Sequence, residues 1–153
     1  MSVLKAFRRT PVRTFLLYPV IVLAGELLIN RGSLQLKPVY LTLMLWGYFQ
    51  YRLCGIYRVK HGGGGPGLDT PPDRLVASGP YACSRNPMYL GHIIFLIGLT
   101  LALESLLAGF ITVATAIWFH LRVLADEKHL AVRLGQPYVD YMAAVKRWVP
   151  GLL

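Results

Sequence analysis

Residues 88–121, MYLGHIIFLIGLTLALESLLAGFITVATAIWFHL, are two apolar runs of 16 residues each, 88–103 and 106–121, parted only by Glu104 and Ser105. As helices at 1.5 Å per residue each run is about 24 Å long, close to a hydrocarbon core of roughly 30 Å. Backbone N–H and C=O groups in lipid must be satisfied within the segment that carries them, and a helix does this where a lone strand does not. The pair therefore reads as a tight helical hairpin in a bilayer, its second helix continuing past Arg122 as the chain turns polar.

Two further apolar runs precede this hairpin. Residues 14–30 are interrupted by Pro19, Gly25 and Glu26 and close on the polar turn Asn30-Arg31-Gly32-Ser33; residues 38–57 are studded with Tyr40, Trp46, Tyr48, Tyr51 and Tyr57. No small-residue cleavage site follows the first run, and more spans do, so it reads as a retained span rather than a signal peptide. The expected fold is all-α: a polytopic membrane protein with about four transmembrane helices (14–30, 38–57, 88–103, 106–121), forming one domain over residues 1–153.

Composition agrees. The 153 residues are 55% hydrophobic and 15% charged, with a mean hydropathy of +0.49, too apolar for one small water-soluble core and too few for a second catalytic domain. The net charge of +9 has a topological origin. Lys5, Arg8, Arg9 and Arg13 precede the first span; Arg52, Arg58, Lys60, Arg74 and Arg85 lie at the end of the second or in the central loop; Arg122, Lys128, Arg133, Lys146 and Arg147 follow the fourth. Only Arg31 and Lys37 fall on the other side. Cytoplasmic loops carry the Lys and Arg excess, so both termini and the 58–87 loop are expected in the cytoplasm. No nucleic-acid-binding motif accompanies the charge.

The central loop opens with His61-Gly62-Gly63-Gly64-Gly65-Pro66-Gly67 and continues to Pro71-Pro72. A phosphate cradle would need a following GK(S/T) and a preceding strand, so the run reads as a flexible connection able to act as a lid. After Arg122, Leu130, Val132 and Leu134, then Tyr138, Tyr141, Met142 and Val145 past Gly135-Gln136-Pro137, give an amphipathic helix broken near 135–137 and lying at the cytoplasmic face.

Ionisable groups in or beside spans are expensive and are read first as functional. Glu104, at the far-side turn, is reached by water; Glu26 is either a ligand-facing acid or an interhelical hydrogen-bond partner. His92 and His120, on the third and fourth spans, suit packing or hydrogen bonding, and with no third ligand near them no metal site is expected. Cys54 and Cys83 form no CxxC and read as ordinary thiols. The dense polar groups lie at the cytoplasmic boundary. Gly79-Pro80 signals a turn, Pro87 suits the first turn of the third span with Asn86 as its N-cap, and helix N–H groups beside Arg85 suit an anion. Asp126-Glu127 supply the opposite charge, so the two segments together suit a zwitterion.

Those segments, GPYACSRNPMYLG at 79–91 and DEKHLAVRLGQPYVDYMAAVKRWVP at 126–150, resemble the isoprenylcysteine carboxyl methyltransferase superfamily, which also includes phospholipid N-methyltransferases. The family pattern is approximately GPY-x3-R-(H/N)-P-x-Y-x-G, then E-E-x2-L-x3-F-G-x2-Y-x2-Y-x3-V-x-R-x2-P. Asp126-Glu127, Leu130, Leu134-Gly135, Tyr138, Tyr141, Val145, Arg147 and Pro150 keep its spacing. Asp126 stands for the first Glu, Leu134 for Phe, and Asn86 where eukaryotic members have His.

The resemblance implies an integral membrane methyltransferase that uses S-adenosylmethionine, releases S-adenosylhomocysteine, and holds the cofactor in segments 78–92 and 122–150. Carried over by residue, Tyr81, Arg85, Asn86, Pro87, Tyr89, Gly91, Glu127, His129 and Leu130 line the cofactor pocket; Arg147, Glu127 and Tyr141 carry catalysis; Arg147, Tyr138 and Tyr141 meet the acceptor. A carboxylate acceptor, pKa near ~3.5, arrives ionised and needs a positioning cation such as Arg147; an amine needs a base such as Glu127 or His129. The expected partners are membrane lipids and a lipophilic small-molecule acceptor entering sideways between spans. The leading expectation is O-methylation of an isoprenyl-thioether or lipid-like acid. Phospholipid N-methylation and a catalytically silent membrane interaction protein are the alternatives.

Overall fold

The computed structural model describes residues 9–65, 67–68 and 70–149. Lys5 and Arg8 of the first basic cluster, Pro66 of the glycine run and Pro150 of the C-terminal motif lie outside the described residues. Among the described residues the regular structure is helical, as the lipid argument requires. The helices are α1 (Thr10–Ile29), α2 (Leu41–Gly62, entered through a 3-10 turn at Pro38–Tyr40), α3 (Pro80–Cys83), α4 (Pro87–Leu103), α5 (Leu106–Leu134) and α6 (Gln136–Ala144).

Each apolar run thus becomes a helix, and α5 continues past Arg122 to Leu134. Two helices, α1 and α5, are long and apolar enough to cross a membrane by length and composition. The α4 helix is apolar but only 17 residues long, and α2 carries Arg52, Arg58 and Lys60. A full-length apolar span is therefore present twice among the described residues, against the four expected.

The chain divides into two compact units. The first comprises the described part of Met1–Phe49 with Gly91–Ile117. Its core is Val22, Phe95, Leu96, Leu99, Leu103 and Ala108, with Phe15, Tyr18, Met44, Leu107 and Ile111 packed against it. Leu28, Leu45, Leu106 and Phe110 face outward and are exposed, the inverse of a water-soluble unit and the arrangement expected of lipid-facing helices. Pro19 has no N–H to donate back to Phe15. The preceding turn widens to a π-helical turn at Arg13–Leu17, where the Tyr18 N–H reaches the Arg13 carbonyl.

The ionisable groups His92, Glu26 and Glu104 of this unit are held by packing and pairing. His92 is fully buried and stacks on Phe15 with ring centroids 4.5 Å apart. Glu26 takes the hydrogen-bonding role: Ser105 Oγ donates to its Oε1 at 2.6 Å and Asn30 Nδ2 to its Oε2 at 2.9 Å. Glu104 pairs with Lys37 Nζ at 2.5 Å, while the Lys37 amide donates to the Ala102 carbonyl at 2.7 Å. The turn between α4 and α5 is thereby closed by its own acid.

Helix packing in lipid lacks a hydrophobic drive, so close backbone approach at small residues matters more. A Cβ on Gly47 of α2 would stand 2.5 Å from the Gly91 carbonyl oxygen and 2.5 Å from the Phe95 nitrogen of α4. Both are backbone atoms and cannot swing aside. Gly47→Ala is therefore expected to cost roughly 1–3 kcal/mol by overpacking, read as a lowered unfolding midpoint in detergent, and an unchanged midpoint would refute the close approach.

Candidate functional site

The second unit comprises Gln50–Leu90 and Trp118–Leu153. Its described residues enclose a cavity of about 320 Å³, within the size range of small-molecule sites.

One wall is the glycine-rich connection, which is folded rather than loose. The Arg58 guanidinium, 8% exposed, donates from Nη2 to the carbonyls of Gly65 (2.9 Å), Gly67 (2.6 Å) and Thr70 (3.0 Å). Asp73 accepts from the Gly64 amide at 2.8 Å and from Arg133 Nη2 at 2.9 Å. Gly63 and Gly64 have φ of 73° and 70°, and a Cβ on Gly64 would lie 2.3 Å from the Pro71 carbonyl. The glycines therefore serve positive φ and close approach instead of mobility. Leu68, Pro71, Pro72, Leu75 and Val76 form the apolar wall.

The opposite wall starts at the turn before α4. Gly79, at φ 58°, opens α3. Tyr141 Oη then donates to the Tyr81 carbonyl at 2.6 Å, tying α6 to α3. Asn86 stands where the N-cap was expected, and its carbonyl accepts from the Leu90 amide at 3.0 Å. Its side-chain amide points elsewhere, to the Arg147 carbonyl (3.3 Å) and Glu127 Oε1 (3.5 Å). The strong acceptor nearby draws the amide away from the helix end.

Glu127, one turn beyond Val123 on α5 and 5% exposed, is the hub of the site. Arg85 approaches it from one side, Nε 3.1 Å from Oε1 and Nη2 3.4 Å from Oε2, and also donates Nη1 to the Met142 carbonyl at 2.7 Å. Arg147 approaches from the other, Nε and Nη2 at 3.0 and 2.9 Å from Oε2. Two guanidiniums against one carboxylate leave the cluster one positive charge in excess. Asp126, the neighbouring acid, accepts from Tyr89 Oη at 2.9 Å and lies 3.7 Å from Arg122 Nε, its side chain 42% exposed.

Burial pushes the phenols of Tyr81, Tyr138 and Tyr141 up, Tyr138 to about 12 with Glu127 adding to the effect. These hydroxyls stay protonated at every physiological pH, and those of Tyr81 and Tyr141 act as donors, to the Cys54 carbonyl at 3.4 Å and the Tyr81 carbonyl at 2.6 Å. An unfolded chain ionises its tyrosines near ~10, so their contribution to stability is complete below that pH and is lost as pH rises toward the folded values. Tyrosinate absorbance is expected to rise in two steps, the second coinciding with unfolding. A single step with the fold retained would contradict this burial.

The cavity brings together Tyr81, Arg85, Asn86, Tyr89, Glu127, His129, Leu130, Tyr138 and Tyr141. Three expected residues do not line it. Pro87 is buried at the start of α4 with its carbonyl accepting from Gln50 Nε2 at 3.0 Å. Gly91 belongs to the first unit, against the position of Gly47. Arg147 acts through Glu127. Asp126, read with Glu127 as the acidic half of a zwitterion site, also faces the cavity, as do Arg58, Arg122, Arg133 and the loop wall, which were not singled out as site residues. For Arg122 a signal existed: it precedes Asp126 by four residues, one helical turn on the same face. For Arg58 none did.

The family model described as phospholipid methyltransferase matches residues 63–136, from the glycine run to the start of α6. No curated protein and no solved structure matches the chain. The matched stretch holds the loop wall, the turn before α4 and the Asp126-Glu127 pair. Over that stretch, just under half of the chain, the protein is similar to the phospholipid methyltransferases, in agreement with the resemblance of segments 79–91 and 126–150 to the membrane methyltransferase superfamily.

Proposed function

We propose that this cavity binds S-adenosylmethionine and that the protein methylates the carboxylate of a lipophilic acid, an isoprenyl thioether or a similar lipid-like acceptor, releasing S-adenosylhomocysteine. The observation that carries the reading is Glu127, buried between Arg85 and Arg147 at the edge of a cavity whose other wall is apolar.

The residues present fit such a cofactor. Its carboxylate is matched by the excess positive charge beside Arg85, its ammonium by the half-exposed Asp126, and its adenine by Leu68, Leu75, Val76 and Leu130. The rings of Tyr89 and Tyr138 line the same space, and a ring face attracts a cation by about 0.5–2 kcal/mol. When bound, S-adenosylmethionine supplies an electrophilic methyl carbon with its leaving group already in place. What the protein must add is alignment and the exclusion of water. The Arg85–Glu127–Arg147 cluster fixes one end of the cavity, and the Arg58-held loop closes the other to solvent.

Arg58, Arg85, Arg122 and Arg133 outnumber Asp126 and Glu127 along the walls, which favours an acceptor that arrives as an anion and needs no base. Phospholipid amine N-methylation is the second reading, favoured by the description of the matching family. His129, exposed at the cavity, would then take the proton. The proposed topology keeps four membrane-crossing helices, with both termini and the 58–87 loop on the cytoplasmic side.

Calorimetric binding of S-adenosylmethionine and S-adenosylhomocysteine to detergent-solubilised protein tests the cofactor. Micromolar affinity is expected, and no binding to folded protein would overturn the reading. Alkali separates the acceptors: a methyl ester releases methanol on base treatment and a methylamine does not. Base-stable label on lipid would replace the first acceptor by the second.

A further inference from the structure

Beyond α6 the chain leaves the helix at Val145, which is extended (φ −114°, ψ 133°), and residues 146 and 147 bond to the turn before α4. Its backbone does much of the positioning. The Lys146 carbonyl accepts from the Arg85 amide at 3.0 Å, and the Arg147 carbonyl accepts from Ser84 Oγ and Asn86 Nδ2, each at 3.3 Å. The Arg147 side chain grips Glu127. Residues 146 and 147 therefore reach three of the groups assigned to the cofactor: Arg85, Asn86 and Glu127.

The next residue holds the far end of this strap. Trp148 Nε1–H donates to His120 Nδ1 at 3.2 Å, with the two rings nearly parallel at 26° and 6.3 Å between centroids. That bond fixes the imidazole proton on Nε2. His120 lies on α5 about two turns before Glu127, so the strap is pinned to the same helix at two points. One is the ion pair inside the site and the other is the indole–imidazole bond outside it.

We propose that His120 and Trp148 are positioning residues: their hydrogen bond holds the 146–148 strap in register so that Arg85, Asn86 and Glu127 are pre-set for the cofactor. This rests on the reading of the cavity as an S-adenosylmethionine site. Neither residue lines the cavity, so any effect of either on cofactor affinity passes through the strap. His120 is exposed on a helix, and replacing it removes an acceptor without opening a core.

The test is S-adenosylhomocysteine affinity by calorimetry, with hydrogen exchange over residues 145–149, in full-length protein. The variants are His120→Leu, Trp148→Phe, the two combined, and His120→Gln, whose side-chain carbonyl can still accept from the indole. Each single loss is expected to raise Kd roughly fivefold to tenfold, as one net hydrogen bond predicts. The combined variant is expected to be no worse than either alone, and His120→Gln to stay within about twofold of wild type. Exchange at the strap should quicken in the first three variants only.

Wild-type affinity in His120→Leu and Trp148→Phe, additive losses, or failure of His120→Gln to restore binding would each overturn the proposal. So would a lowered melting temperature with Kd unchanged, since that marks a stability role alone. A wild type that binds no S-adenosylhomocysteine at all sinks the cavity reading itself, a result distinguishable from the others because it precedes every variant.

Discussion

Glu127→Ala is expected to abolish measurable S-adenosylmethionine binding and to destabilise the second unit more than any other single change at the site. Arg85 has a side chain only 9% exposed, and Arg147 one 29% exposed; without the carboxylate two guanidiniums face each other across a site largely shielded from water. Leaving a buried charge unpaired costs on the order of 3–5 kcal/mol. Binding and stability separate in Glu127→Gln, which keeps the volume and one acceptor oxygen but not the charge. Its affinity should fall at least tenfold while the protein remains folded, because neutral hydrogen bonds hold a guanidinium about half as strongly as charged ones. Replacing Arg85, Glu127 and Arg147 together by Met should recover stability, as hydrophobic substitution of a whole buried ionic cluster commonly does, without recovering binding. Glu127→Gln with wild-type affinity would remove Glu127 from the cofactor's end of the cavity.

The hub was legible in sequence because its chemistry is concentrated in two short segments. Arg85 and Glu127 stand out by residue type and position, Asn86 enters the site through the family resemblance, and the cavity gathers all three. The helices were legible for a similar reason: a run of apolar residues long enough to approach bilayer thickness has one backbone solution in lipid. The errors are instructive about what periodicity omits. Four glycines in a row look mobile when only backbone freedom is considered, yet Gly63 and Gly64 hold positive φ inside a hydrogen-bonded fold. That fold depends on Arg58, about one turn from the end of α2, which the charge count read only as a mark of cytoplasmic orientation. Three carbonyl acceptors that come from one irregular loop leave no pattern in the sequence. Gly91 failed the opposite way, conspicuous in the motif but set against the Gly47 backbone in the first unit.

Arg58 is accordingly the second residue whose loss should be severe. Arg58→Leu preserves the apolar stem and removes the donor that meets Gly65, Gly67 and Thr70. Those carbonyls sit beside a side chain only 8% exposed, and a buried acceptor left unsatisfied costs about 1–3 kcal/mol. Restoring their hydration requires the loop to open, and opening withdraws Leu68, Pro71 and Pro72 from the cavity wall. Protease cleavage within residues 63–76 should therefore rise sharply in Arg58→Leu, and cofactor affinity should fall by about tenfold or more. The Asp73–Arg133 pair alone should not hold the loop, because it is exposed on both sides, with side chains 60% and 48% accessible, and exposed pairs contribute about 0–1 kcal/mol. Asp73→Asn is thus the mild control: it keeps an acceptor for the Gly64 amide and should change affinity less than threefold. Arg58→Lys should fall between the two, since an ammonium on a flexible stem reaches fewer of the three carbonyls at once than a planar guanidinium does. If Arg58→Leu resists proteolysis as wild type does, the loop is held by its apolar residues, and the guanidinium is an accompaniment to that packing rather than its cause.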